Sequence, residues 1–383
     1  MRSQSASNPI RDYMNLSFLT GIALLLGLYL LSGCVDSFEP KVAAKDANIL
    51  VVDGSINSEG RTTIKLTRTT GLAPNASVLV ERKARVYIEE QGGRQYPLTE
   101  SQPGVYQSMA LMLPREQLFR LHFTLASDQE YTSEYTPAQH TPAIDSVSWK
   151  TNEQGVQIYV NAHDGAQQTR HYRWSYDETW EIKSRYVSYL EYKNKELIFR
   201  KEDINHCWGS EFPTTITLAN TLRLSRNVIS EQPLILVPVS SSKLAIKYSI
   251  LVRQYALSAG EYSYWEALRK NTENIGTLFD PLPTQLTGNV HNVADASEPV
   301  IGFVGAQSVS EKRIFIRREQ LPNNWRVRTG YEGCVVDTAK SADFFASGEA
   351  TPIGADKSGI YYSSTDCVDC RKRGTTVRPS FWQ

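Results

Sequence analysis

Apolar and polar side chains alternate along short segments of this chain from Ile49 onward. In one such segment, Phe119, Leu121 and Phe123 are separated by single polar residues. Alternation with a period of two predicts β-strands that bury one face. Several of these strands, separated by turn-forming residues, predict an immunoglobulin-like or transthyretin-like sandwich over residues 49–140.

The second part of the chain shows the same pattern. Pro137 and Pro142 flank a polar link, so we place a domain boundary near Thr141. Residues 141–383 are expected to form a larger β-rich domain, which makes the fold mainly β. The aromatic residues of one strand (Tyr172, Trp174 and Tyr176) share a face, and we interpret them as core rather than as a platform for a sugar ring.

One helix is marked near residues 258–274. The segment from Ser258 to Glu261 fits a capping box, with serine at the N-cap and glutamate three residues later. Tyr262, Trp265 and Leu268 then follow at helical spacing, which predicts one half-buried face.

A predominantly apolar run, Leu16 to Leu31, precedes all of these elements. It follows a polar segment that carries Arg2 and Arg11, and it ends in Leu-Ser-Gly-Cys at residues 31–34. This layout is typical of a bacterial secretory signal. The run is shorter than the roughly 20 apolar residues that a membrane-spanning helix needs. We therefore predict a lipoprotein signal peptide at residues 1–33, cleaved so that the mature chain begins at Cys34.

Acylation of Cys34 would fasten the protein to the outer-membrane lipid bilayer through several fatty-acid chains. Residues 34–48 have no periodicity and read as a tether. Asp36 and Glu39 loosely resemble the signal that sends some lipoproteins to the cell surface, although a plain solvated tether explains the same residues. The predicted location is the outer membrane, with cell-surface exposure left open.

The length and charge of the chain limit the classes of partner that we expect. Removing residues 1–33 from the 383 leaves 350 residues, enough for two ordinary domains. Lys plus Arg and Asp plus Glu number 41 each, so the formal net charge is zero. A nucleic-acid-binding protein would carry a basic excess, and nucleic acid is not an expected partner.

Four cysteines remain besides Cys34, namely Cys207, Cys334, Cys367 and Cys370. An exported chain meets an oxidising environment, so an even set indicates two disulfides. A bridge within Cys367-x-x-Cys370 would close a very small ring, which favours pairing of Cys207 and Cys334 each with one member of that motif. Zinc binding by the four cysteines, and a thioredoxin-like redox role for the motif, are the alternatives.

No recognised catalytic motif or phosphate-binding loop occurs in the chain, and no catalytic residue, metal site or cofactor is predicted. The histidines are scattered, and only His206, beside Cys207, lies near another potential metal ligand. His163 and Asp164 could serve as general acid and base, and the pair Glu178 and Glu181 could serve a glycosidase. A turn and ordinary strand residues explain these positions equally well.

Four groups of residues together resemble a known family. They are Cys34 to Pro40 with Leu50 to Gly54; Tyr172 to Trp174 with Glu178 to Trp180; Tyr264 to Glu266 with Gly276 to Pro283 and Gly288 to His291; and Cys367 to Arg371 with Pro379, Phe381 and Trp382. On these residues the chain resembles the Bacteroidota lipoproteins grouped as domain-of-unknown-function family 4249. The resemblance implies an exported envelope lipoprotein associated with a TonB-dependent outer-membrane receptor. It implies no catalytic residue.

These observations favour a non-catalytic accessory subunit that works beside a TonB-dependent receptor in nutrient binding or uptake. The alternative is an envelope glycan or peptide hydrolase with an accessory sandwich module. A purely structural envelope or adhesion protein is a third hypothesis. The ligand itself has no signature in the sequence.

Overall fold

The computed structural model of the chain describes residues 48–70, 78–273, 286 and 288–383. The predicted signal peptide, Cys34 and all of the tether except Asn48 lie outside these residues. The described chain is mainly β, as predicted, and its strands surround two large hydrophobic cores. None of its helices is long and apolar enough to cross a membrane.

The first nine strands belong to one strongly curved sheet. Their alternating residues are buried as predicted, because Phe119, Leu121 and Phe123 are fully inaccessible to solvent. The strands are β1 (Leu50–Asn57), β2 (Glu59–Arg68), β3 (Leu79–Val80), β4 (Arg85–Glu90), β5 (Gln95–Gln102), β6 (Val105–Met112), β7 (Leu118–Thr124), β8 (Glu130–Ser133) and β9 (Thr136–Pro137).

The next nine strands build the second core and one exposed hairpin. They are β10 (Ile144–Thr151), β11 (Gly155–His163), β12 (His171–Lys183), β13 (Leu190–Lys193), β14 (Glu196–Phe199), β15 (His206–Glu211), β16 (Thr217–Asn220), β17 (Val228–Pro238) and β18 (Lys247–Leu257). On β12, the aromatic side chains of Tyr172, Trp174 and Tyr176 are buried, which confirms their interpretation as core.

Helix α1 (Ala259–Glu273) follows β18 and confirms the predicted helix. The Ser258 hydroxyl accepts a hydrogen bond from the backbone N–H of Glu261 at 3.1 Å, as an N-cap does. The helix buries Glu261 and Tyr264, whereas the predicted face of Tyr262, Trp265 and Leu268 is only partly covered.

Three later strands return to the first core, which the prediction of two consecutive domains does not include. They are β19 (Val290–Asn292), β20 (Val300–Ile301) and β21 (Ala306–Gln307). The curved sheet has the order β19-β8-β7-β4-β5-β6-β2-β1-β20. Val290, Val300 and Val304 are buried among the side chains of the first nine strands.

Asn289 brings the two ends of this sheet together. Its side-chain amide donates to the carbonyl of Val304 at 3.0 Å and accepts from the N–H of Val304 at 2.8 Å, and its own N–H donates to Gly302 O at 3.2 Å. A Cβ at Gly288 would overlap that same Gly302 carbonyl, so only glycine permits the approach. These bonds explain structurally the Gly-Asn pair of the segment 288–291.

The second core lies between two sheets. Strand β22 (Val309–Arg317) completes the sheet β15-β12-β18-β22, to which β16 is added on β12, and the opposing sheet is β10-β11-β17. A short 3-10 helix, Ser242–Leu244, joins β17 to β18, and another, Arg318–Gln320, follows β22.

The C-terminal region contains a further small sheet. Its sheet has the order β23-β25-β24, with β23 (Asp337–Ala339), β24 (Ala350–Asp356) and β25 (Gly359–Ser364), and its helices are a 3-10 helix (Ala342–Ser347), α2 (Thr365–Val368) and a 3-10 turn (Cys370–Lys372). Its hydrophobic cluster of Ile204, Cys367 and Val368 is small. Small cores of this kind depend on cross-links for stability.

Candidate functional site

A groove of about 870 Å³ separates the first core from the outer face of the second. We call it the inter-core groove. One wall consists of β1 and β2, and the other of the outward-facing residues of β12, β18 and β22. Phe212, Pro213 and Thr214 line the groove as well. A volume of this size is within the range of ordinary ligand sites.

Strand register explains how the second wall is assembled. Arg173 lies directly opposite Tyr255, while Ser175 lies opposite Arg253, which in turn lies opposite Glu311. Because residues directly opposite each other on antiparallel strands share a face, these side chains form two rows along the groove.

The row of Ser175, Arg253 and Glu311 is held by ion pairs. Arg253 donates through Nη2 to Asp177 at 2.6 Å and through Nε to Glu311 at 2.7 Å. Burial disfavours the charged form of Arg253, but these two carboxylates outweigh it and raise the pKa of the guanidinium. Arg253 is therefore a fixed cation whose charge is already matched.

Arg173 has a different environment. Its guanidinium carbon lies 4.3 Å from the ring centroid of Tyr255 and 4.3 Å from that of Trp265 on α1. Its Nε atom is buried and has no hydrogen-bond partner. An arginine that is packed against aromatic rings and unpaired at Nε is a candidate for ligand recognition.

Glu261 is the acidic neighbour of Arg173. It is 2% exposed, and a Cβ at Gly305 would overlap its Oε2 atom, so the glycine makes room for the carboxylate. Burial raises the pKa of Glu261 to about 7, although the positive charge of Arg173 opposes the rise. Trp265 and Gln307 lie beside the carboxylate and also oppose the rise in its pKa. Their polar side-chain atoms are buried without a well-formed hydrogen bond, so this opposition is weak.

The four remaining cysteines form the disulfides Cys207–Cys370 and Cys334–Cys367. The prediction that Cys207 and Cys334 each pair with one member of the Cys-x-x-Cys motif is confirmed. All four sulfurs are consumed, which removes the zinc and redox alternatives for these residues. Within the described chain, no group of three potential metal-ligating side chains occurs. Cys34 lies outside the described residues.

The two glutamates of the glycosidase hypothesis do not converge. Glu178 is 1% exposed in the second core, where its carboxylate accepts hydrogen bonds from Tyr248 Oη and Lys243 Nζ, both at 2.8 Å. Glu181 is three residues further along β12 and therefore points to the other face, where it lies 2.7 Å from His206 Nε2. A pair on opposite faces cannot act on one glycosidic bond.

His163 and Asp164 also have separate local roles. His163 Nδ1 lies 2.8 Å from Asp145 Oδ2 at the surface, and this contact raises the pKa of the imidazole. Asp164 accepts backbone hydrogen bonds from the following turn, including one of 2.6 Å from Thr169. Burial opposes ionisation of Asp164, but these bonds lower its pKa. His163 ends β11 and Asp164 begins the turn that follows, so the two side chains have separate structural roles.

A second cavity of about 300 Å³ lies beside Trp180 and Tyr331, and Glu181 is among its lining residues. The inter-core groove is the stronger candidate because it is larger and is lined by Arg173, a cation with an unpaired Nε. Sequence reasoning missed its residues, although the polar positions that alternate with Tyr172, Trp174 and Tyr176 (Arg173, Ser175 and Asp177) were the available signal.

No curated protein sequence is significantly similar to the chain. Among solved structures, a segment of two fibronectin type-III domains from chicken tenascin is 8% identical, with coverage of 70% of this chain and 99% of that chain and a TM-score of 0.18. A DUF4785 family protein from Legionella pneumophila is 10% identical, with coverage of 53% and 51% and a TM-score of 0.19.

One family of proteins matches most of the chain. A model of the family described as "Domain of unknown function (DUF4249)" matches residues 35–313, which include both walls of the inter-core groove. The chain therefore belongs to this family.

Proposed function

We propose that the protein is a lipid-anchored, non-catalytic subunit of the outer membrane that binds a ligand in the inter-core groove beside a TonB-dependent receptor. The observation that carries the proposal is the groove, an open site of about 870 Å³ whose charged side chains are positioned by strand register and ion pairs. An open groove with charged side chains held in place is suited to binding a ligand.

The sequence Leu-Ser-Gly-Cys at residues 31–34 supports the lipid anchor in this proposal. A tether of residues 34–48 would reach at most about 50 Å when fully extended. Attachment within that distance raises the effective concentration of the protein at any partner in the same membrane. A weak contact with a receptor would then suffice.

Purification tests the partnership. The full chain, tagged at its C terminus, is isolated from its native membranes in mild detergent, and we expect a β-barrel receptor in near-stoichiometric amount. The matched control replaces residues 1–33 and Cys34 with a cleavable signal that gives the same mature chain without lipid. Loss of the receptor from this control supports the anchor, whereas absence of any barrel protein from the lipidated sample would contradict the partnership.

Mass spectrometry tests the anchor itself. The N-terminal peptide should begin at Cys34 and carry the mass of its acyl chains. A chain that keeps residues 1–33 without acylation would contradict this part of the proposal. The hydrolase alternative finds no support in the positions of Glu178, Glu181, His163 and Asp164.

A further inference from the structure

Arg173 presents a particular chemistry to the inter-core groove. The rings of Tyr255 and Trp265 pack against its guanidinium, each 4.3 Å from the central carbon. Contacts with aromatic rings use the flat face of a guanidinium, so the N–H groups at its edge remain for hydrogen bonding. Arg173 is only partly buried and lines the groove, so part of this side chain is accessible to a ligand.

The charge of Arg173 is matched less completely than that of its neighbour. Arg253 has two carboxylates at 2.6 and 2.7 Å, whereas Nε of Arg173 is buried without a hydrogen-bond partner. The acid close to Arg173 is Glu261, whose ionisation is opposed by burial. A carboxylate from a ligand is the group that fits a planar guanidinium best, because it can accept two parallel hydrogen bonds.

The remaining charges of the groove indicate what kind of molecule carries that carboxylate. The opposite wall bears both signs, with Lys65 at 3.7 Å from Asp53 and with Arg61 and Glu59 nearby. Because the acidic and basic members of this set nearly balance, they offer a polyanionic glycan little net attraction. A peptide has charges of both signs and apolar side chains that suit Phe212, which is 69% exposed.

We propose that the inter-core groove binds a peptide and that Arg173 receives one of its carboxylates. This inference rests on the proposed function of the groove as a ligand site. The carboxylate belongs either to the C terminus of the peptide or to an aspartate or glutamate side chain, and the experiment separates these two sources.

Four pools of random N-acetylated hexapeptides test the inference by equilibrium dialysis against the full chain in detergent, with mass spectrometry as the readout. The first pool has free C termini and contains Asp and Glu. The second is C-terminally amidated and contains Asp and Glu, the third has free C termini without acidic residues, and the fourth has no carboxylate. We expect enrichment from the first pool and from the second or third, which identifies the source.

Enriched peptides are then titrated against variants. Arg173→Gln should weaken binding at least tenfold, the usual scale of a lost charge-assisted hydrogen bond. Arg173→Lys should lose less binding affinity than Arg173→Gln, because lysine keeps the positive charge although it lacks the paired N–H donors of a guanidinium. Arg223→Gln is the matched control, since it removes an exposed arginine that does not line the groove, and it should bind as the parent does.

Thermal melting of each variant shows whether the fold is intact. Enrichment of the carboxylate-free pool to the same degree as the others, or unchanged binding by Arg173→Gln, overturns the role of Arg173. Enrichment of no pool overturns the peptide as ligand. Both failures leave the partnership with a receptor to be decided separately by the co-purification above, so the two proposals can fail independently.

Discussion

Thr141 and Ser308 join two parallel segments of the chain, each of which leads from the first core to the second. The N–H of Thr141 donates to Ser308 Oγ at 2.9 Å, and the Thr141 hydroxyl donates to the carbonyl of Ser308. Both residues are buried, and the N–H of Ala256 donates to Thr141 Oγ1 at 3.0 Å. Two segments that both lead from the first core into the second are therefore fastened to each other and to the end of β18.

These hydrogen bonds predict that the stability of the protein depends on the hydroxyl of Thr141. Thr141→Val keeps the shape of the side chain but leaves the Ala256 N–H and the Ser308 carbonyl without this partner. We expect a loss of about 2–3 kcal/mol in the free energy of unfolding, measured by urea denaturation. Thr141→Ser retains the hydroxyl and should lose less than half as much. Equal stability of the valine variant and the parent would show that the junction contributes nothing.

Glu261 predicts a pH dependence of stability. Its pKa is raised from 4.5 to about 7, so the folded state binds this proton more tightly than the unfolded state does. Stability from this group is fully present below pH 4.5 and is lost as the pH rises through 7, by a total of about 3 kcal/mol.

The variant Glu261→Gln removes this titration. The difference in unfolding free energy between the variant and the parent should grow in favour of the variant from pH 4.5 to pH 8. Urea titrations at several pH values measure it, and the other titrating groups cancel in the difference. Parallel curves for the two proteins would mean that Glu261 does not titrate in this range.

The ion pair between buried Glu178 and partly buried Lys243 predicts a large cost for removing the lysine. Lys243→Met leaves a carboxylate that is 1% exposed without its cation, and we expect a loss of about 3 kcal/mol or more. The double variant with Glu178→Gln should recover part of that loss.

A surface pair supplies the control for this experiment. Lys150 lies 2.6 Å from Glu231, but both side chains are at least half exposed. Lys150→Met should therefore cost less than about 1 kcal/mol. Similar losses at Lys150 and Lys243 would indicate that burial does not govern the strength of the inner pair.

The two disulfides should contribute unequally. The Cys207–Cys370 bridge joins residues 163 apart, and the Cys334–Cys367 bridge joins residues 33 apart. In the chain-entropy model the longer loop stabilises more, by roughly 1.4 kcal/mol. Double alanine variants of each bridge, compared by urea denaturation, measure the difference. The reverse order would show that strain or residual structure in the unfolded chain dominates.

Local patterns predicted much of the fold because they report requirements of single elements. Phe119, Leu121 and Phe123 alternate because one face of β7 must be buried, and Ser258 precedes α1 because the first helical N–H groups need an acceptor. That Cys207 and Cys334 each pair with one member of the motif followed from the number of cysteines and the short spacing, whereas the tertiary structure decided which pairs with which. None of these inferences required knowledge of distant contacts.

The sequence by itself determined many of the strands of the two cores, the marked helix and the mainly β class, together with membership of the family. Only the tertiary structure decided that Val290 and Val304 return to the first core and that Arg173 of β12 meets Trp265 of α1. The physical reason is that these contacts join residues about 90 to more than 200 positions apart. They depend on strand register and on the packing of the two cores against each other, and no local periodicity encodes them.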